Sequence, residues 1–339
     1  MAVGKAFGVV VVVTPDGRHV EVATFRSDGA YIDGRRPDSV TFTTAAEDVA
    51  RRDFTINALL LDLADGRIID HVDGIADLGR RLIRAVGDPI RRFGEDRLRV
   101  LRALRIAAHL DFSIDAATWS ALVTTPLAGL SGERLVQEWF KALAAPGRGR
   151  WLSMLADSGH LTAFCPPLAE LRSEQRAAHA TCLEQLTAND PQALQAALWL
   201  APAHATAAET WLAGLPMSRD LVTTARWLLA HAREVDVVAS RSRPDRRRLW
   251  QHPAGPQLAR LLALVHGAAA ADLTAEQAAE GAAGPWKSLV RASDLIALGC
   301  APGPTLGRVL RELEDAQLDG ALVDRDAALA LARAKLSRV

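Results

Sequence analysis

The sequence predicts an α+β chain in which a small strand-bearing head precedes an all-helical remainder, and three observations carry that reading. Val-rich runs flank a turn near the start (GVVVVV, TPDGR, HVEVATF). Leu and Ala recur at helical spacing over residues 126–339, broken by Pro and Gly and without β-branched alternation. All eight Trp lie at or beyond Trp119, so the aromatic bulk sits in the helical part. A length of 339 residues accommodates two or three domains. The formal net charge is zero, so a case for a polyanionic partner rests on where the arginines sit.

In chain order, Pro15 and Gly17 supply turn chemistry between the two Val-rich runs and predict an antiparallel hairpin. Strand alternation puts Glu21 on one face with Ala23 and Phe25, either as a solvated edge residue or as an acid aimed into a cleft. A lone hairpin is not stable in water, which leads to the expectation that more of this domain lies upstream of Met1. Residues 26–48 read as a polar loop, ending over Thr44 to Asp48 in an acidic helix start of the T-x-x-E/D type that leads into VARRDFTINALLLDL. Arg51, Arg52, Asp53 and Asn57 crowd four hydrogen-bonding side chains into seven positions, with Asp53 and Asn57 at i, i+4. Asp65-Gly66 signals a turn and Ile68-Ile69-Asp70 a short extended run.

Nine arginines fall between Arg80 and Arg105 against three acids, Asp88, Glu95 and Asp96. Asp96, Arg99, Arg102 and Arg105 recur every third position, and Leu98, Leu101 and Leu104 do so on another face, predicting one helix with an apolar back and a guanidinium-rich front. Guanidinium is a planar, permanently charged fork suited to phosphates and base edges, and an Asp among such forks adds the acceptors they lack. A solvated face laced by ion pairs fits the same spacing.

The ordered set RRDFTINA (Arg51 to Ala58), Asp70, Asp73-Gly74 with Asp77-Leu78, and DP-x-x-RF-x-EDRLR-x-LRA-x-R (Asp88 to Arg105) resembles the tRNA nucleotidyltransferase and poly(A) polymerase family, in its bacterial CCA-adding branch. The resemblance runs on through Gly132-Glu133-Arg134 and the carboxy-terminal segment with Asp294, Gly299, Gly303 and Gly307. It implies a polymerase-β-like nucleotidyltransferase head, incomplete here, over residues 1–63. A nucleotide-selecting neck follows over 64–125, and an all-helical body and tail for tRNA binding over 126–339. Arg52, Asp53 and Asn57 match the positions that handle the incoming nucleotide's sugar and phosphates. Asp96 and Arg99 match the pair that reads the base of CTP or ATP, Arg102 and Arg105 extend that site, and Asp70, Gly74 and Asp77 fall in a hinge. The expected partners are CTP, ATP and the 3′ end of tRNA. The cofactor is Mg²⁺, whose principal ligands, an Asp-x-Asp pair, are missing before Gly4 and leave only Glu21 as a candidate catalytic acid. The expected activity is untemplated addition of C and A to tRNA. The alternatives are a poly(A) polymerase of the same family and a catalytically incomplete nucleotide- or RNA-binding remnant.

The cluster Arg241, Arg243, Arg246, Arg247 and Arg248, broken by Pro244, reads as a helix-joining loop, either touching an RNA backbone or solvated. Cys165, Cys182 and Cys300 have neither CxxC nor zinc spacing and suggest structural thiols in a reducing, cytoplasmic setting. No run of about 18 apolar residues predicts a membrane span, and the Val-rich start reads as a strand rather than a signal peptide. GxSxG, P-loop and HExxH motifs are absent, and Asp70-His71 has the reverse order of a phosphohydrolase His-Asp pair.

Overall fold

The β-branched run forms the first strand of a hairpin in the computed structural model, which describes residues 9–29, 39–233 and 235–337. Strands β1 (Val9–Val13) and β2 (His19–Ala23) pair antiparallel, Val11 opposite Glu21. Gly17, at φ 80°, closes the turn, donating its N–H to the Thr14 carbonyl at 2.8 Å. Val10, Val12, Val20 and Val22 are all exposed, because among the described residues this ribbon has no second layer.

The expected polar loop is structured at its ends. β3 (Arg26–Asp28) and β4 (Val40–Phe42) pair antiparallel, and the middle of that loop, residues 30–38, lies outside the described residues, as does the start of the first Val-rich run. The Thr44 signal is used as predicted, its hydroxyl accepting from Glu47 N at 3.4 Å, but α1 (Ala45–Ala50) stops after six residues. Thr44→Ala removes this cap and is expected to cost about 1 kcal/mol in a urea melt. The chain then leaves the helix, buries Phe54 through a bridge to Ala85, and makes one 3₁₀ turn at Thr55–Asn57, so Asp53 and Asn57 do not share an α-helix.

β5 (Leu60–Leu61) and β6 (Ile68–Ile69) form a second short hairpin, followed by α2 (Gly74–Gly79), β7 (Leu82–Ile83), α3 (Pro89–Glu95), α4 (Leu98–Leu110) and β8 (Ser113–Ile114). β7 and β8 pair in parallel, the connection between them running through α3 and α4. Asp88 caps α3 ahead of Pro89, whose missing N–H is harmless at a first helical position. The helices α5 (Ala116–Thr124), α6 (Gly132–Ala144), α7 (Arg148–Asp157), α8 (Leu161–Phe164), α9 (Pro166–Ala169) and α10 (Ser173–Glu184) follow. The apolar back of α4 (Val100, Leu101, Leu104, Ala107) is fully buried and packs on α6 and α7.

The chain divides into two compact units, one of residues 1–190 and 202–217, the other of 191–201 and 218–339. The first unit is centred on buried Trp139 and Trp151, with Trp211 edge-on to Trp139 at 4.9 Å. The second contains α11 (Gln192–Leu200), which is buried throughout; α12 (Ala205–Ala213) belongs to the first. It continues with α13 (Arg219–Ala232), α14 (Val235–Ser240), α15 (Arg243–Gln251), α16 (Gly255–His266), α17 (Ala271–Ala283), α18 (Ala292–Ala297), α19 (Pro304–Leu318) and α20 (Arg325–Leu336).

Two expectations change here. The arginine cluster expected as a loop is mostly helix α15, because Ser242 caps it and Pro244 sits in the first turn, where proline is tolerated. Its arginines are largely committed: Arg246 to Glu276, Arg247 to Glu280 and Arg248 to Asp315, at 2.6–2.8 Å. Residues 255–283 form one helical run apolar enough by length and composition to cross a membrane, which the sequence reading did not anticipate. Its Leu258, Leu261 and Leu262 are buried within the second unit, where α16 packs on α11 and α13.

Candidate functional site

The arginine-rich front of α4 forms one wall of a cleft of about 680 Å³ in the first unit. Arg51, Arg52, Asp53, Asn57, Asp96, Arg99, Arg102 and Arg105 line it, with Ile106, His109 and Leu110. Residues 45 positions apart in sequence thus converge because the Phe54 bridge lays the segment 51–57 beside α4. The seven residues expected to bind a nucleotide all reach this wall.

Asp53 is the central acceptor on the 51–57 side. Its Oδ2 receives Nε and Nη2 of Arg102 at 2.8 and 2.6 Å, and its Oδ1 receives the Asn57 amide at 3.2 Å and the Phe54 N–H at 2.8 Å. Burial works against the charge on Arg102, but Asp53, then Glu138 and Asp96, outweigh it and raise its pKa. Arg51 and Arg52 both lean on the buried carboxylate of Asp48, at 2.7 and 3.3 Å. Burial raises the pKa of Asp48, but hydrogen bonds from Arg51 and the Arg26 N–H, with the charge of Arg52, bring it below its ordinary value.

Asp96 does not lie on the helix with the arginines. It is extended (φ −150°, ψ 104°) at the joint between α3 and α4, where its Oδ1 accepts from Leu98 N at 3.0 Å and so starts α4 behind it. Its Oδ2 is held by Arg134 of α6 at 2.7 Å. Arg99 is nearly buried and donates to Glu95, to the Arg92 carbonyl and to the Arg51 carbonyl at 2.8–3.0 Å. Arg105 donates to Glu138 at 2.6 Å.

Sequence reasoning did not pick out Glu138. This carboxylate, 2% exposed, holds Arg105, Lys141 and, at 3.8 Å, Arg102. The available signal was its i, i+4 spacing from Arg134, which puts both on one face of α6. Burial raises the Glu138 pKa, but the charge and hydrogen bond of Arg105, then Lys141, lower it overall. Glu138 and Asp48 therefore add stability that is complete above the unfolded carboxylate range, about 4.3, and is lost as pH falls through their lower folded values. Urea midpoints measured from pH 7 to pH 3 should drop in the acid limb, and Glu138→Gln should flatten that drop.

The hinge candidates lie together, off the cleft. Asp70 accepts from the N–H groups of Val72, Gly74 and Ile75 at 2.9–3.1 Å, so that, although burial opposes it, these bonds lower its pKa. Asp77 is buried and binds Thr55 Oγ1 at 2.8 Å and Arg84 at 3.0 and 3.2 Å. Gly74 packs so closely that a Cβ would stand 2.3 Å from the Thr55 carbonyl oxygen. Gly74→Ala should destabilise the chain by about 1–3 kcal/mol in a thermal melt, since the obstacle is backbone. Glu21 is exposed on β2 and is not part of the cleft wall.

Among the described residues no group of three or more His, Cys, Asp or Glu is assembled to hold a metal ion. The donor set expected for Mg²⁺ is therefore not met by the described residues. Cys165 and Cys300 are buried and form no disulfide; Cys182 is half-buried and likewise outside any disulfide, its thiol pushed up by burial.

A family model, the poly(A) polymerase head domain, matches residues 1–84. The chain is 34% identical over 346 residues to the CCA-adding enzyme of Levilactobacillus brevis, an alignment covering 95% of this chain and 81% of that protein. Against the CCA-adding enzyme of Geobacillus thermodenitrificans the identity is 46% over 171 residues, half of this chain and 42% of the relative. The solved structure of the Bacillus stearothermophilus CCA-adding enzyme in complex with CTP matches with a TM-score of 0.79 at 29% identity, over 99% of this chain and 83% of that one. A small strand-bearing head followed by helices is common to both. By sequence and fold together, the chain belongs to the family of CCA-adding enzymes.

Proposed function

We propose that this chain binds CTP and ATP in the arginine-lined cleft and adds them, without a nucleic-acid template, to the 3′ end of tRNA. The observation that carries the reading is the convergence of Arg52, Asp53, Asn57, Asp96, Arg99, Arg102 and Arg105 on one wall, where with Arg51 five arginines stand against two aspartates. Such a wall offers forked donors for a triphosphate and carboxylate acceptors for the exocyclic amine that cytosine and adenine share. The relatives named above are CCA-adding enzymes, and one of them is solved with CTP.

In this reading Arg52 and Arg102 neutralise phosphate charge while Asp53 and Asn57 hold the sugar. Asp96 and Arg99 present an acceptor and a donor side by side to the pairing edge of the base. Positioning and charge neutralisation are what these side chains contribute to attack by a ribose hydroxyl on the α-phosphate. Asp70, Gly74 and Asp77 serve as the hinge that lets one pocket accept first C and then A. Three cysteines outside any disulfide fit the reducing cytoplasm.

The test has two arms. Equilibrium binding of CTP and of ATP to the chain alone should be saturable and should weaken at least tenfold in Arg102→Ala. Incubation with tRNA lacking its terminal CCA, labelled CTP and ATP, and Mg²⁺ should then extend the tRNA. Absence of binding overturns the proposal. Binding without extension favours the second reading, a nucleotide-binding chain incomplete for transfer.

A further inference from the structure

The second unit contains a separate concave surface, about 380 Å³, lined by Trp227, Arg241, Asp245, Arg248, Leu249 and His252. Three of its features belong together. The His252 imidazole lies parallel to the Trp227 indole, 3.9 Å between centroids and 11° between planes. His252 is itself exposed, with one face of its ring on the indole. The ring is also fixed in place: Ala254 N–H donates to its Nδ1 at 3.1 Å. Burial, and then the charge of His231, lower its pKa, which favours the neutral ring that such an acceptor requires.

The third feature is a cation. Of the arginine run, Arg243, Arg246, Arg247 and Arg248 all donate to carbonyls or carboxylates of the second unit. The half-buried Arg241 guanidinium has no hydrogen-bond or ion-pair partner among the described residues, although it lines the concave surface. Asp245 lines the same surface as an acceptor, already engaged by Ser242 at 2.8 Å and by Arg248 at 3.3 Å. A rigid flat ring, a free guanidinium and a carboxylate within one hollow match the three parts of a nucleotide: a base face, a phosphate and an amine edge.

We infer that this hollow is a second nucleotide site, in which a base stacks on the face of His252 away from Trp227 and its phosphate is held by Arg241. The ligand is a nucleoside phosphate, supplied either as a free nucleotide or as an unpaired nucleotide within an RNA chain. Trp227 backs the imidazole and keeps it flat. The inference does not depend on the reading of the cleft in the first unit.

Photocrosslinking with peptide mapping separates the sources and the sites. The full chain is irradiated with 8-azido-AMP in one arm and with a single-stranded RNA pentamer carrying 4-thiouridine in the other. Label is expected on the peptide holding His252 or Trp227, and its yield should fall about tenfold in Arg241→Gln, the order expected when a hydrogen bond between charged groups is lost. The melting temperature of Arg241→Gln should not change, because its guanidinium has no hydrogen-bond or ion-pair partner to lose among the described residues. Label from the AMP analogue identifies a free nucleotide as the ligand, and label from the pentamer alone identifies RNA. The inference is overturned if neither probe labels that peptide, or if Arg241→Gln leaves the yield unchanged. Cleft peptides are read in the same digest, so failure of the cleft reading is scored separately.

Discussion

Asp96→Ala is expected to abolish the distinction between cytosine and adenine nucleotides on the one hand and guanine and uracil nucleotides on the other. In a titration of the four ribonucleoside triphosphates, wild type should prefer CTP and ATP by at least tenfold. The variant should bind all four within a factor of about two. A two-pronged base contact is worth about 1–3 kcal/mol of discrimination, which sets that scale. The effect should exceed that of removing any one arginine, because the wall has several cations and Asp96 is the acceptor at its α3–α4 end. Asp96→Ala also releases Arg134, so Arg134→Ala serves as the control. If the preference for CTP and ATP persists in Asp96→Ala, Asp96 does not read the base.

The second large effect concerns stability. Glu138→Ala should lower unfolding free energy by about 3–5 kcal/mol, the range for removing one partner of a buried ion pair. Arg105, Arg102 and Lys141 would then face one another without the carboxylate that holds them. Urea unfolding followed by circular dichroism measures this directly. A loss below about 1 kcal/mol would mean that these cations relax into solvent at little cost, as exposed pairs do. Nucleotide affinity should fall as well, because Arg102 and Arg105 form the cleft wall.

The parts legible in the sequence are those set by local chemistry. Five consecutive valines, a Pro-Asp-Gly turn and a second β-rich run give the hairpin, and the leucine back of α4 gives a helix whichever neighbours it has. Asp96 was harder. Its three-residue spacing from Arg99 is the same on a continuous helix and on a joint that precedes one, and the difference is set by where α3 ends. The proline in the 241–248 run looked like a break, whereas the Ser242 cap makes it a helix start. Contacts across long separations left no local trace: Thr55 with Asp77, Arg99 with the Arg51 carbonyl, and Glu138 with Arg105 depend on the fold around Phe54 and on the packing of α6 against α4.

The cleft's arginines already have carboxylate partners: Arg51 and Arg52 on Asp48, Arg99 on Glu95, Arg102 on Asp53, Arg105 on Glu138. On the proposed reading, a triphosphate arriving there would swap one anion for another instead of displacing a loose cloud of solvent ions. Its affinity should therefore depend on ionic strength far less steeply than five bare guanidinium groups would dictate. The small net gain of each swap would also leave the triphosphate free to depart, so that the pocket is cleared and refilled between one nucleotide and the next.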